Sequence, residues 1–209
     1  MPAWSRRALL SGLAAALALP HDALAQDASE VRQPIVMLYG ALDKLMRAGQ
    51  ATPFPERFAI LAPVIDKVYD LESVLRVSVG LKWPTIDAPS RKALSDIFRA
   101  FTVASFVANF DKFEGEKFEV LADLRTVGAD QVVQTRIVSA SGEPIRLDYV
   151  MQPSESGWRV TDVLLDGTIS RVAVQRSDFR SLLAHGDATA LIASLKRKVA
   201  NLSGGTMVS

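Results

Sequence analysis

The hydrophobic period of the chain changes within one stretch, FRAFTVASFVANFDKFEGEKFEV, which runs from Phe98 to Val120. Its first half spaces apolar side chains three or four residues apart, as on an amphipathic helix. Beyond a polar turn, Phe118 and Val120 alternate with charged residues, as on a strand with one wetter face. The stretch therefore predicts that a long helix ends near Asn109 and that a sheet begins near residue 117.

Outward from this stretch, the same two periods predict the remaining elements. We expect four sequential strands that form an antiparallel meander, over 117–127, 131–140, 145–152 and 157–165. We expect helices over 29–47, from Glu56 with a kink or break at Pro63, from Leu71 to Gly80, from about Asp87 to Asn109, over 170–183 and over 188–202. Helices, then strands, then helices predict the α+β class, in one domain over 26–202 with a flexible tail over 203–209.

The N-terminus has the features of an export signal. Arg6 and Arg7 precede an apolar run over 8–19, and the triplet Ala23-Leu24-Ala25 resembles a cleavage site. The apolar run is shorter than the ~20 residues that span a bilayer. We therefore expect residues 1–25 to be a signal peptide, cleaved near Ala25 and exported by the Sec or the twin-arginine route.

The composition excludes several kinds of chemistry. The chain has no cysteine and two histidines, of which His21 lies in the predicted signal and leaves His185 alone. Cysteine–histidine catalysis and histidine-rich metal sites are therefore excluded, and we expect no metal and no cofactor. Removal of 1–25 takes two arginines and one aspartate from totals of 24 basic and 23 acidic residues. The balanced charge that remains gives no basis for a nucleic-acid partner.

The predicted helices and sheet supply large apolar side chains to one shared interior. Either these side chains form a dry core, or they leave a gap that holds a hydrophobic ligand, and the residues alone leave both outcomes open. The helices contribute Leu61, Val64, Ile65, Val68, Leu75, Val79, Trp83, Phe98, Phe101, Val103, Phe106 and Phe110. The strands contribute Phe118, Val120, Leu147, Tyr149, Met151, Trp158 and Val160.

One carboxylate is a candidate for a buried role. Strand alternation places Asp162 on the same face as Trp158 and Val160, and we expect a structural ion pair with Arg176, or with Arg171. The alternative is an enzyme that uses Asp162 as a base, since buried carboxylates in clefts are often functional.

Several runs of residues resemble one known family. The chain resembles the MlaC-type toluene-tolerance family of periplasmic phospholipid-binding proteins. The resemblance lies in the stretch from Phe98 to Val120, in GWRVTDV from Gly157, in DGTIS from Asp166 and in QRSDF from Gln175. The segments VANFDKF and LDGTIS are most similar to those of the hopanoid-biosynthesis-associated HpnM branch. Many MlaC-type members have tyrosine where this chain has Gln175. The similarity extends from about residue 30 to 202.

The resemblance implies an NTF2-like fold whose apolar cavity accepts acyl chains, which makes the apolar residues above candidate lipid contacts. It implies a periplasmic carrier, without enzymatic activity, that moves phospholipid or hopanoid between the inner and outer membranes. The implied partners are an inner-membrane MCE-domain ABC transporter or a hopanoid exporter, and an outer-membrane lipoprotein complex. The enzyme that uses Asp162 and the dry-core binding module remain the alternatives.

Overall fold

A computed structural model describes residues 21–139, 142–183 and 187–207. The helices in this part of the chain are α1 (His21–Ala48), α2 (Phe54–Val68), α3 (Leu71–Val79), α4 (Ala88–Asn109), α5 (Arg171–Arg180) and α6 (Thr189–Leu202), with a 3-10 helix at Gly80–Thr85. The strands are β1 (Lys117–Val127), β2 (Asp130–Val138), β3 (Ile145–Ser154), β4 (Gly157–Leu165) and β5 (Ile169–Ser170). The predicted α+β class is confirmed.

Short polar side chains set where the helices begin. Asp70 accepts the backbone N–H of Ser73 at 3.0 Å and caps α3, which ends at Gly80 with φ 68°. Asp87 caps α4 through the N–H of Ser90 in the same way. Each cap satisfies an N–H group that has no partner within its helix. The helices predicted from Leu71 and from about Asp87 therefore begin where the structure has them.

Pro63 does not break α2, so the predicted break at this residue is wrong. The helix runs without interruption from Phe54 to Val68, with Pro63 on its exposed side. Leu61 and Ile65, each two residues away from Pro63, are fully buried against the rest of the protein. Their packing supports a helix that the proline alone would weaken, because tertiary burial outweighs local propensity.

The five strands form one antiparallel sheet in the order β1-β2-β3-β4-β5. The predicted four-strand meander is thereby extended by β5, a strand of two residues that pairs with Leu164 and Leu165. On the outer face Asp148 is completely buried, although alternation places it on the wetter side. Arg146 covers it and donates from Nε and Nη2 at 3.0 and 2.6 Å.

An irregularity in β4 changes which side chains face inward. Met151 pairs with Val160, but Val150 pairs with Asp162 and Tyr149 pairs with Val163, so Thr161 is an extra residue. Because paired residues share a face, Val163 faces the same side as Tyr149. The prediction that Asp162 shares the face of Trp158 and Val160 is therefore wrong, since regular alternation does not continue through the bulge.

One end of the inner face of the sheet is covered by α1 and α2. This first core contains Ile35, Leu38, Leu42, Leu61, Ile65, Val68, Val103, Val107, Val133, Met151 and Val160, each at most 2% exposed. Tyr39 of α1 lies there too, with its Oη 2.5 Å from Thr135 Oγ1. The Thr135 hydroxyl donates to the Leu147 carbonyl, so the Tyr39 hydroxyl is the donor to Thr135.

A second core lies among α3, the first half of α4, α5 and α6. It contains Val74, Leu75, Val79, Ile86, Leu94, Ile97, Phe98, Val172, Phe179, Leu183, Leu191, Leu195 and Val199. Residues 203–207 belong to this core, because Ser203 is buried and Met207 packs against it. The Met207 N–H donates to Ser203 Oγ at 3.1 Å. The expected flexible tail therefore does not include residues 203–207.

Two predictions fall largely outside the described residues. The proposed signal peptide over 1–25 overlaps them only at 21–25, where α1 begins, and His185 lies outside them. None of the helices in the described part of the chain combines the length and hydropathy needed to cross a membrane.

Candidate functional site

A cavity of about 450 Å³ separates α4 from the inner face of the sheet, between the two cores. Its wall on the sheet side consists of Ile137, Ile145, Leu147, Tyr149, Val163 and Leu165. Its helical wall consists of Leu71, Val74, Phe98, Phe106, Phe110 and Val172. The volume lies within the range of roughly 300 to 1,000 Å³ that is usual for ligand pockets, and most of the lining is apolar.

The strand register explains why the sheet wall is apolar. Ile137 pairs with Ile145, and Leu147 pairs with Leu165, so these side chains share the inner face with Tyr149 and Val163. Ile145 lies at the end of the hairpin and is 51% exposed. The cavity is thus open to solvent at the end of the sheet that α1 and α2 do not cover.

Polar side chains gather where α5 begins. Asp162, Arg171 and Gln175 line this side of the cavity, and Thr102 and Asn109 of α4 line it as well. Arg171 is exposed, and within the described residues it takes part in none of the ion pairs or side-chain hydrogen bonds. Asp162 and Arg171 are the charged residues among the described lining.

Asp162 caps α5, and the predicted ion pair with Arg176 is not formed. Asp162 Oδ1 accepts the N–H of Val172 at 3.1 Å, and its Oδ2 accepts the Ser170 hydroxyl at 2.5 Å. Arg176 lies instead against the backbone of Gly80, where a Cβ atom would be 3.2 Å from its Nε. The prediction was wrong because the helix start presents backbone donors that reach the carboxylate first.

Tyr69 lines the cavity with a buried hydroxyl that has no hydrogen-bond partner among the described residues. The residue is 6% exposed, and its Oη makes no hydrogen bond within the described residues. Burial raises the pKa of Tyr69 above its ordinary value; nearby Tyr39 also raises it, Arg171 lowers it and Asp162 raises it. A buried donor without an acceptor costs about 1–3 kcal/mol, so an acceptor that reached this hydroxyl would recover that cost.

The structure brings only part of the predicted lipid-binding set to the cavity. The lining includes Phe98, Phe106, Phe110, Leu147 and Tyr149. Buried in the first core are Leu61, Ile65, Val68, Val103, Met151 and Val160, and half-buried against it are Val64, Phe118, Val120 and Trp158. Leu75 and Val79 are buried in the second core, and Trp83 and Phe101 are half-buried against it. These fourteen side chains are absent from the lining because they pack against one another.

Other lining residues were missed by the sequence reasoning. They are Tyr69, Leu71, Val74, Thr102, Asn109, Ile137, Ile145, Val163, Leu165, Arg171, Val172 and Gln175. The signal for Ile145 was present, since alternation along β3 places it in phase with Leu147, whereas Ile137 joins them through its pairing with Ile145. Val163 and Leu165 could not be found by alternation, because the β4 bulge shifts them to the inner face.

Two further depressions lie elsewhere on the surface. One, of about 430 Å³, lies between α1, the end of α2 and the β3–β4 turn, and its lining includes Glu30, Lys67 and Trp158. The other, of about 270 Å³, is lined by charged side chains that include the Asp66–Arg99 ion pair. Polar atoms make up a larger part of the lining in both depressions than in the cavity between α4 and the sheet. That cavity is therefore the candidate site. Within the described residues no three acidic or histidine side chains converge as a metal site requires.

The fold and the site define an α+β domain that encloses an apolar cavity between its helices and an antiparallel sheet. A family model described as MlaC protein matches residues 41–197, and the chain belongs to the MlaC family. Among solved structures, the chain is similar to a phospholipid-binding protein from Ralstonia solanacearum in complex with a phospholipid. The TM-score is 0.71 at 16% identity, covering 83% of this chain and 98% of that one, so the likeness concerns the fold. No curated protein matches the sequence.

Proposed function

We propose that this protein binds a phospholipid by its acyl chains and carries it between membranes. The observation that carries the proposal is the apolar cavity of about 450 Å³ between α4 and the sheet. Membership of the MlaC family supports it, and so does the shared fold with a protein whose structure contains a phospholipid. The dry-core alternative expected no cavity larger than a few waters, and the cavity argues against it.

The energetics of lipid transfer explain why a carrier needs such a cavity. Each methylene moved out of water contributes ~0.8 kcal/mol of favourable free energy. Transfer of a lipid with two chains of roughly sixteen carbons into water therefore costs more than about 20 kcal/mol. An apolar interior replaces most of that loss, which makes extraction from a membrane nearly neutral. Release then requires only an acceptor of similar polarity.

We extend the proposal to the compartment and the partners. The export signal expected over 1–25 supports a periplasmic location. The resemblance to the MlaC-type family supports an inner-membrane MCE-domain ABC transporter and an outer-membrane lipoprotein complex as partners. The similarity of VANFDKF and LDGTIS to the HpnM branch adds a hopanoid as a second cargo and a hopanoid exporter as a second donor. A hopanoid is a rigid fused-ring slab and needs a broad, flat cavity, whereas acyl chains bend to fit.

The proposal gives Asp162 no catalytic role. Its Oδ1 and Oδ2 accept hydrogen bonds from Val172 and Ser170 at the start of α5. A general base needs an acceptor oxygen within reach of a substrate proton. The carboxylate already serves as a helix cap, so we infer that the protein binds its ligand without chemical change.

Lipid transfer between two vesicle populations tests this function. Donor vesicles contain isotopically labelled phosphatidylethanolamine in one series and a labelled hopanoid in another, and acceptor vesicles are recovered by sedimentation. We expect the protein to move phosphatidylethanolamine faster than the protein-free exchange. Faster movement of the hopanoid alone would favour the HpnM assignment, and no acceleration of either lipid would contradict the carrier function.

A further inference from the structure

The cavity has an unbalanced charge at the start of α5. Asp162 and Arg171 are its charged lining residues, but the Asp162 oxygens accept hydrogen bonds from Val163, Ser170 and Val172. Arg171 has no such partner among the described residues and is exposed at the same place. A guanidinium presents five N–H donors in a fork that matches the oxygens of a phosphate or a carboxylate.

A second unused donor lies in the same lining. The Tyr69 hydroxyl is buried and makes no hydrogen bond within the described residues. Tyr69 lines the same cavity as Arg171 and Asp162. The Phe106 ring, whose centroid is 5.8 Å from that of Tyr69, lines the cavity beside it. The hydroxyl is covered, so a ligand reaches it only when a neighbouring side chain moves.

We propose that Arg171 and Tyr69 bind the phosphate oxygens of the lipid headgroup, while the acyl chains fill the apolar part of the cavity. This assignment rests on the proposed function and adds a headgroup preference to it. The buried hydroxyl gains an acceptor, and the guanidinium gains an anionic partner. Charge-assisted hydrogen bonds of this kind are about twice as strong as neutral ones, so the phosphate group determines which lipids are held.

Competition between two lipids that differ only in the phosphate tests the site. Vesicles contain equal amounts of phosphatidylglycerol and diacylglycerol with identical chains, and mass spectrometry of the recovered protein gives the ratio of the bound lipids. We expect the unmodified protein to favour phosphatidylglycerol and Arg171→Gln to lower that ratio by about tenfold, with diacylglycerol uptake retained. Arg180→Gln, on the same helix but outside the lining, is the matched control and keeps the ratio.

Tyr69→Phe separates a ligand contact from a structural role. The variant removes a buried hydroxyl that has no partner in the described part of the chain, so the melting temperature of the lipid-free protein rises, while the lipid ratio falls by about threefold. A lower melting temperature with an unchanged ratio would overturn the role of Tyr69.

The remaining outcomes distinguish this site from the function on which it rests. If the unmodified protein takes up both lipids equally, or Arg171→Gln keeps the preference, the headgroup site is wrong and the carrier function stands. If neither lipid is taken up, the carrier function itself is contradicted. If inorganic phosphate alone, added without vesicles, stabilises the unmodified protein but not Arg171→Gln, the site binds free phosphate and the headgroup assignment is overturned.

Discussion

Asp162 Oδ1 accepts the backbone N–H of Val172 at 3.1 Å, and this bond attaches the start of α5 to the end of β4. Ser170, between them in the chain, donates its hydroxyl to Asp162 Oδ2 and accepts the N–H of Ala173 at 2.9 Å. Two side chains thus cap one helix and connect it to the sheet. The arrangement positions Arg171 and Val172 in the cavity lining.

Removal of the Asp162 carboxylate should destabilise this junction. We expect Asp162→Ala to lower the free energy of unfolding by about 2 kcal/mol, since a cap and a charge-assisted bond are lost together. Asp162→Asn retains an acceptor oxygen and should cost less than about 1 kcal/mol. Denaturant titration measures both values, and equal losses in the two variants would contradict the capping role.

Two phenylalanines of α4 provide a matched test of the cavity. Phe106 lines it, whereas Phe101 packs half-buried against the second core with Lys198 Nζ 5.4 Å from its ring centroid. We expect Phe106→Asp to abolish phospholipid uptake from vesicles, because a carboxylate in the lining cannot face acyl chains without a large desolvation cost. Phe101→Asp should keep uptake in the fraction that folds. Loss of uptake in both variants to the same extent would mean that the lining is wrongly located.

The three tyrosines of the chain should ionise only when the protein unfolds in alkali. Tyr39, Tyr69 and Tyr149 are all buried, and burial raises the pKa of each above its ordinary value. Because the unfolded chain loses these protons near pH 10 and the folded protein does not, stability is full below pH ~10 and falls as the pH rises above it. Tyrosinate absorbance should therefore appear together with the loss of circular dichroism. Ionisation of one tyrosine in the folded protein would contradict this prediction.

The Asp70 cap should make α3 sensitive to acid. Burial alone would raise the pKa of Asp70, but hydrogen bonds from Ser73, with Arg159 and Arg76 nearby, hold that pKa below its ordinary value. The stabilisation is therefore complete above pH ~4 and is lost as the pH falls through the lower folded value. Asp70→Ala should cost about 1 kcal/mol at neutral pH and progressively less in acid. A difference that stays constant from pH 7 to strong acid would contradict the effect.

The sequence predicted the elements better than the site. Periodicity and caps located the helices and four strands, since both signals are local. The cavity lining depends on how the helices pack against the sheet. Helices α1 and α2 cover one end of the sheet, whereas the cavity separates α4 from the other end. No local signal separates Val160, which is in the dry core, from Val163, which lines the cavity, because the bulge at Thr161 decides between them. The sequence pattern suggests Arg171 only as an ion-pair partner of Asp162. Because Asp162 instead accepts the backbone N–H of Val172 and caps α5, that ion pair is not formed.

Native mass spectrometry of the protein, after purification from its source cells and after incubation with phospholipid vesicles, tests the central claim most directly. We expect a bound phospholipid at close to one per chain in the unmodified protein and in Phe101→Asp, and an empty cavity in Phe106→Asp. An unmodified protein that is purified empty and stays empty beside the vesicles would contradict the account.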